Sequence, residues 1–243
     1  MTQATEGMLS KIRGLLAQAE HEGTSKTESE TFMAAATRLM AKYGVERAML
    51  GALHPETDRV ADKIIVVPAP YAASKLRLLW AIASALGADG VKRRAAKGTA
   101  ELHLFGMESD LERIDLLYTS MLLQCQRFQE IDWRTMPSFV DKRTWKVDYV
   151  EGFRSEVHRR LKEVEARAKQ QAQAEQTGGP SVDLVLADRS ALVQKAKADA
   201  YSSTRKSSYS RRVGAGYGQG TSAGQRADLG GSRIAGNRRS LSR

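Results

Sequence analysis

Residues 63–105 read KIIVVPAPYAASKLRLLWAIASALGADGVKRRAAKGTAELHLF, and the order of elements in this stretch decides the fold. Lys63-Ile64-Ile65-Val66-Val67 is a compact β-branched run ended by Pro68 and Pro70, which predicts a strand. Ser74 to Leu86 carries Leu76, Leu79, Trp80 and Ala83 at helical spacing and closes on Gly87. Val91–Ala95 and Thr99–Phe105 then flank Ala96-Lys97-Gly98. In the second of these runs Glu101, His103 and Phe105 alternate with Leu102 and Leu104, the period of a β-hairpin arm. Strand, helix and hairpin in this order predict a small antiparallel sheet covered by helices on one face, within a predominantly helical α+β protein.

Working outward, Ser109 and Glu112 read as a capping box opening a helix to about Glu130, with Leu111, Ile114, Leu117, Met121, Cys125 and Phe128 inward. Ile131 to Arg143 reads as a loop. From Thr144 to Gln171 the chain predicts one long charged helix with Tyr149, Phe153, Val157, Leu161 and Val164 as its stripe. Beyond Leu161 the apolar positions thin out, which suggests an end that projects or pairs with a partner in the manner of a coiled coil. Gln176 to Pro180 reads as a linker, Val182 to Leu186 as a short strand and Ala191 to Tyr201 as a weak helix.

Upstream, Leu9, Ile12, Leu15, Leu16 and Ala19 mark a helix over about Glu6 to His21. Thr27 and Glu30 read as a second capping box. Phe32, Ala36, Leu39, Met40 and Tyr43 line the helix that follows, with Gly44 as its stop and a short third helix from Val45 to Leu53. The two amphipathic helices make an αα-hairpin too small to bury both stripes alone, so Leu16 and Leu39 are expected where it meets the body. The resulting divisions are a helical hairpin domain (1–54), an α+β body ending in the long helix (58–172), a linker with a short strand and weak helix (173–201) and a basic tail (202–243).

The stretch from Met8 to Val45 resembles an uncharacterised family of bacterial and phage proteins, domain of unknown function 2786. Lys11, Ile12, Leu15, Leu16, Ala19 and Glu20 fit its first helix of KIxxLLxxAE type. Glu28, Ala35, Leu39, Met40, Tyr43 and Gly44 fit its second, which ends in LMxxYG. A looser likeness extends over Leu102–Tyr118 and Tyr149–Leu161. The resemblance implies a bacterial or phage host and a genome or mobile-element context, and it carries no activity.

The net charge is +10 over 243 residues. Residues 201–243 hold nine basic residues against the single acid Asp228, so +8 of that charge sits in the tail. From Ser202 onward eight glycines and nine serines surround only four large aliphatics, Val213, Leu229, Ile234 and Leu241. Ordering a residue costs about 1–2 kcal/mol of conformational entropy, and so few apolar groups predict a disordered basic tail. Gly214-Ala215-Gly216-Tyr217-Gly218 lacks the strand and helix of a phosphate loop and reads as flexible linker.

No active site is legible. His21, His54, His103 and His158 are scattered outside any metal pattern, and the lone Cys125 reads as a buried apolar group. Glu20, Glu28 and Glu30 cluster near a turn, where acids at a helix start more often serve its dipole. No metal or cofactor is expected. The polar start of the chain and the lack of a long apolar run predict a cytoplasmic protein that does not enter a membrane.

Charge is the remaining signal. Arginines neutralise phosphates and tyrosines stack on exposed bases. In the tail, Arg205, Lys206, Tyr209, Arg211, Arg212, Tyr217, Arg226, Arg233, Arg238 and Arg239 are the candidate nucleic-acid contacts, and Lys92, Arg93, Arg94 and Lys97 form a second cluster at the hairpin. The leading expectation is a non-enzymatic nucleic-acid-associated protein acting on DNA or RNA through mainly electrostatic contacts. A protein-interaction or assembly module with an acidic protein partner is the alternative, and an uncharacterised enzyme comes third.

Overall fold

The computed structural model describes residues 3–21, 23–176, 179–205, 213–227 and 229. Seven α-helices and three strands lie among them. Helix α1 (Gln3–Glu20) buries Leu9, Ile12, Leu16 and Ala19 on one face, as the spacing predicts. Helix α2 (Lys26–Leu53) begins at a capping box two residues earlier than expected. Ser25 accepts from the Glu28 amide, and the Glu28 carboxylate accepts from Ser25. Hydrogen bonds from Ser25 hold the exposed Glu28 carboxyl below its ordinary range. Met33, Ala36, Met40 and Tyr43 fill the interior, while Leu39 is only half-buried.

Gly44 does not stop α2. The helix runs through it without a break, and the predicted third helix is the same helix continued. A glycine is needed here for another reason, since the Arg113 guanidinium lies where a Cβ would be.

Strand β1 (Val60–Pro68), helix α3 (Ala72–Ala85), β2 (Asp89–Arg93) and β3 (Thr99–Met107) follow in the expected order. The sheet is antiparallel with order β1-β3-β2, and its register runs from Val60 opposite Met107 to Pro68 opposite Thr99. In β3, Leu102 and Leu104 enter the main core with Leu76, Leu79 and Ile82 of α3. Phe105 and Met107 instead pack with Val193 beyond the sheet's other face. That face is therefore not left open along its whole length.

Its cover is helix α6 (Val182–Ala200), which replaces the expected short strand and weak helix. Val182, Val185, Arg189 and Val193 recur at steps of three and four, a helical period, and all four are buried. Ile64 and Val66, beyond the reach of α6, stay about half exposed at 47% and 55%.

Helix α4 (Glu108–Trp133) starts with Met107 at its N-cap, not with the Ser109–Glu112 box. The Ser109 amide and hydroxyl are drawn instead to Asp58, at 3.1 and 2.7 Å. Helix α5 (Lys142–Glu175) opens on Asp141, whose side chain accepts from the Thr144 amide at 2.8 Å. Trp145, Tyr149, Phe153, Val157 and Leu161 are all buried, one every four residues, so its interior edge is aromatic at one end and aliphatic at the other. No described helix is long and apolar enough to cross a membrane.

The tail departs most from expectation. The part of it described after Arg205 contains helix α7 (Tyr217–Arg226), laid along α5. Gly216, Gly220 and Gly224 face the backbone of α5 at Trp145, Tyr149 and Phe153, two rows with the same spacing of four. A Cβ at Gly216 or Gly220 would run into the carbonyl of Trp145 or Tyr149. Gly152 returns the contact under the Tyr217 carbonyl. Trp145 Nε1 donates to Gln219 at 2.7 Å, and Arg160 donates to the Gly224, Gln225 and Ala227 carbonyls at the helix end. Ala223, Ala227 and Leu229 are fully buried. The expectation of disorder counted large side chains, whereas this segment gains its burial by having almost none. The rest of that expectation falls on 206–212, 228 and 230–243, outside the described residues.

Candidate functional site

The basic hairpin forms as expected. Gly98 takes φ +84°, which glycine adopts freely, and Thr99 folds back on the Ala96 carbonyl. Lys92, Arg93, Arg94 and Lys97 are all exposed around this turn. Arg93 is paired with Glu101 at 3.1 Å, and no ion pair to Lys92, Arg94 or Lys97 occurs among the described residues. Alternation along β2 puts Lys92 and Arg93 on opposite faces.

The chain leaves α6 beside this same sheet. Tyr201 caps the helix and its hydroxyl lies 2.8 Å from Nδ1 of His103, a residue directly opposite Val91 of the hairpin. Nε2 of His103 lies 2.8 Å from Asp62, and its ring stacks on Phe105 with centroids 4.4 Å apart. Arg205 follows, exposed. Arg226 is placed elsewhere, paired with Asp132 at 2.7 Å and lying over the Phe128 ring. Tyr217 is half-buried on α7. Lys206, Tyr209, Arg211, Arg212, Arg233, Arg238 and Arg239 lie outside the described residues. The four hairpin cations thus lie exposed at one end of the sheet but on both of its faces, Tyr201 lies against the same sheet, and Arg226 is put to a different use.

A second constellation was not legible in the sequence. Asp58, 3% exposed, accepts from both groups of Ser109 and from Arg189 at 2.6 Å. The other terminal nitrogen of Arg189 reaches Asp110 at 2.9 Å. Asp110 also accepts from Arg113 at 2.9 Å, and Arg113 closes the chain on Glu165. Six side chains from four parts of the chain are joined in one network, and Asp58 and Arg189 are 131 residues apart. Burial pushes the Glu165 carboxyl above its ordinary range despite Arg113 beside it. A cavity of about 380 Å³ opens against this network.

The remaining sequence candidates have structural roles. Cys125 is buried, which raises its thiol pKa far above the ordinary value. His21 accepts from the Gly23 amide at 3.0 Å, and His158 contacts the Ala81 carbonyl at 2.8 Å. Of the acidic trio Glu28 is the capping residue, and the side chains of Glu20 and Glu30 lie outside those described.

Residues 7–47 match the family model described as "Protein of unknown function (DUF2786)", which covers most of α1 and most of α2. The structure explains two positions of that segment: Tyr43 is buried, and Gly44 makes room for Arg113. No curated protein and no solved structure matches the chain.

Proposed function

We propose that this protein is a non-enzymatic nucleic-acid-associated protein that contacts phosphates through the hairpin cations and the basic tail. One observation carries the reading: Lys92 near the end of β2 and Arg94 and Lys97 in the connection that follows are exposed without an acidic partner among the described residues, on the sheet from which the tail departs. The tail adds nine basic residues against one acid. Contacts of this kind are electrostatic and weakly selective for sequence.

The test is a salt titration of binding to duplex and single-stranded DNA and RNA. About six phosphate contacts give a slope of log affinity against log salt near −5 on duplex DNA. Truncating at Ser202 is a poor probe, because it strips α7 from Trp145, Tyr149 and Phe153 of α5. Charge substitutions in the full chain avoid that. Lys92→Ala, Arg94→Ala and Lys97→Ala should each lower the slope by about one, as should each tail arginine changed to Gln if it touches a phosphate. Absence of binding at low salt would sink the proposal.

A second reading, an assembly module, is favoured by a groove of about 810 Å³ between α2, α5 and the start of α6. Ala41, Val45, Met49, Val164, Ala168 and Ala172 line it. Light scattering of the full chain would support this reading if it gave a defined oligomer that Met49→Glu dissolves.

A further inference from the structure

We propose that the free edge of β1 is an interface for a second copy of this chain, the two three-stranded sheets joining edge to edge across a two-fold axis. The inference rests on neither the nucleic-acid reading nor the groove between α2, α5 and α6.

The sheet order β1-β3-β2 gives β1 a neighbour on one side only. The register tells which of its backbone groups face outward. The Glu108 amide donates to the Arg59 carbonyl at 2.9 Å, so 59 and 108 form a hydrogen-bonded pair, and such pairs alternate along an antiparallel ladder. Residues 61, 63, 65 and 67 are therefore bonded to β3, while Asp62, Ile64 and Val66 turn their N–H and C=O groups to the free edge. Those groups have no backbone partner among the described residues. What satisfies such a row of groups is another strand.

Apolar side chains flank the edge on both sides. Ile64 and Val66 stand exposed on the outer face. On the inner side α4 runs beside the edge, because Lys63 reaches Asp115. Thr119 and Leu123 follow Asp115 at steps of four on the same face, and Leu123 is half exposed. Charged residues commonly blunt an edge of this kind. Here Asp62 is drawn to His103 at 2.8 Å and Lys63 to Asp115, each towards its own body.

The strand is its own complement. A two-fold axis at Ile65 sets Ile64 opposite Val66 of the second copy in both directions, giving two pairs of β-branched side chains. No like charges stand opposite one another in this register. Asp62 faces Pro68, whose missing N–H leaves only the Asp62 carbonyl unserved. A shift of two residues either way would set Val66 against Asp62 or Ile64 against Pro68. The contact is isologous, so it closes as a dimer.

The experiment is sedimentation velocity of the full chain over a range of concentrations. A monomer–dimer equilibrium is expected, its heavier species twice the chain mass of 26.7 kDa. Ile64→Lys with Val66→Lys opposes like charges twice and should weaken the dimer by about a hundredfold. Ile64→Glu with Val66→Lys sets opposite charges face to face in the same register and should keep the dimer. Both variants alter only half-exposed side chains, so both should fold, with thermal midpoints close to the parent's. Amide exchange should show protection at 62, 64 and 66 that grows with concentration, while 61, 63, 65 and 67 are protected throughout. The proposal is overturned if the chain stays monomeric up to its solubility limit, if the two double variants behave alike, or if Met49→Glu dissolves the dimer. Protection at 62, 64 and 66 that ignores concentration would equally overturn it, by giving the edge to a segment of the same chain.

Discussion

Helices α6 and α7 both fasten the C-terminal third of the chain to the body, and they do it by opposite means. Helix α6 is held by charge. Arg189 bridges Asp58 and Asp110, Lys197 and Gln194 reach Asp89 of β2, and three valines complete the seam. Helix α7 is seated mainly by the absence of side chains, glycine against backbone along about two turns of α5, with polar contacts from Gln219, Arg160 and Arg226 beside that seam. A seam of ion pairs depends on every partner being present and correctly ionised, whereas a seam of glycines depends only on nothing being added. The difference shows that neither buried polarity nor a glycine-rich composition tells on its own whether a segment is folded.

The largest expected effect tests the ionic seam. Arg189→Ala leaves Asp58 and Asp110 buried with one cation fewer, and breaking a buried pair in this way costs about 3–5 kcal/mol. Urea denaturation of the variant measures it, and a change near zero would mean that water reaches Asp58 in its place.

The glycine seam should respond to a single methyl group. Gly220→Ala sets a Cβ against the Tyr149 carbonyl, and overpacking of this kind costs about 1–3 kcal/mol. Alanine favours a helix over glycine by about 1 kcal/mol, so the intrinsic preference points the other way and the sign of the result is informative. Amide exchange should show α7 losing protection while α6 keeps it. Equal loss in both helices would show that the two seams are coupled.

The smallest effect separates the seams by pH. Asp89 is partly desolvated, which works against ionisation, yet hydrogen bonds from Lys197, the Gly90 amide and Gln194 hold its carboxyl below the ordinary value of 3.8. Its contribution is therefore present above that value and is lost as pH falls through the lower folded value. The pair is partly solvated, so the amount is at most about 1 kcal/mol. Glu165 has the reverse sign. Its carboxyl is raised by burial, so the stability it contributes is present below the ordinary value of 4.5 and declines as pH rises through the folded value. Urea midpoints measured from pH 7 down to pH 3 should show an acid loss in the parent and in Gly220→Ala that is smaller in Asp89→Asn, the remainder belonging to other carboxyls held low, such as Glu28. Glu165→Gln should remove the decline at the upper end. An acid loss that is undiminished in Asp89→Asn would move its origin entirely to the other carboxylates.

Much of this architecture was legible in the sequence because its signals are local. The alternation of Glu101, His103 and Phe105 with Leu102 and Leu104, and the repeat from Tyr149 to Leu161, each fix an element by its own period. The helical stripe of α1 was equally plain. Segments whose order comes from a distant neighbour were not. Gly44 looks like a helix stop until Arg113 is placed on it. Ser109 looks like a capping residue until Asp58, 51 residues earlier, claims its donors. The ionic network had no local signal at all, since its members come from four separate parts of the chain. Helix α7 did leave a trace in glycines 216, 220 and 224, but a spacing of four small residues is read as a helix face only when a partner helix is known.

The glycine ladder has a consequence for how this protein tolerates change. A saturation screen of α7 would return a row of forbidden letters at every fourth position, 216, 220 and 224, where the residue carries no functional group of its own. Outward-facing positions between them, such as Gly218, where nothing stands within 4 Å of an added Cβ, would accept many substitutions. A map of such sensitivity, read without coordinates, would point to a ligand site along 216–224. What it would record is the shape of the Trp145–Phe153 backbone, imprinted on a neighbour through the atoms that neighbour lacks.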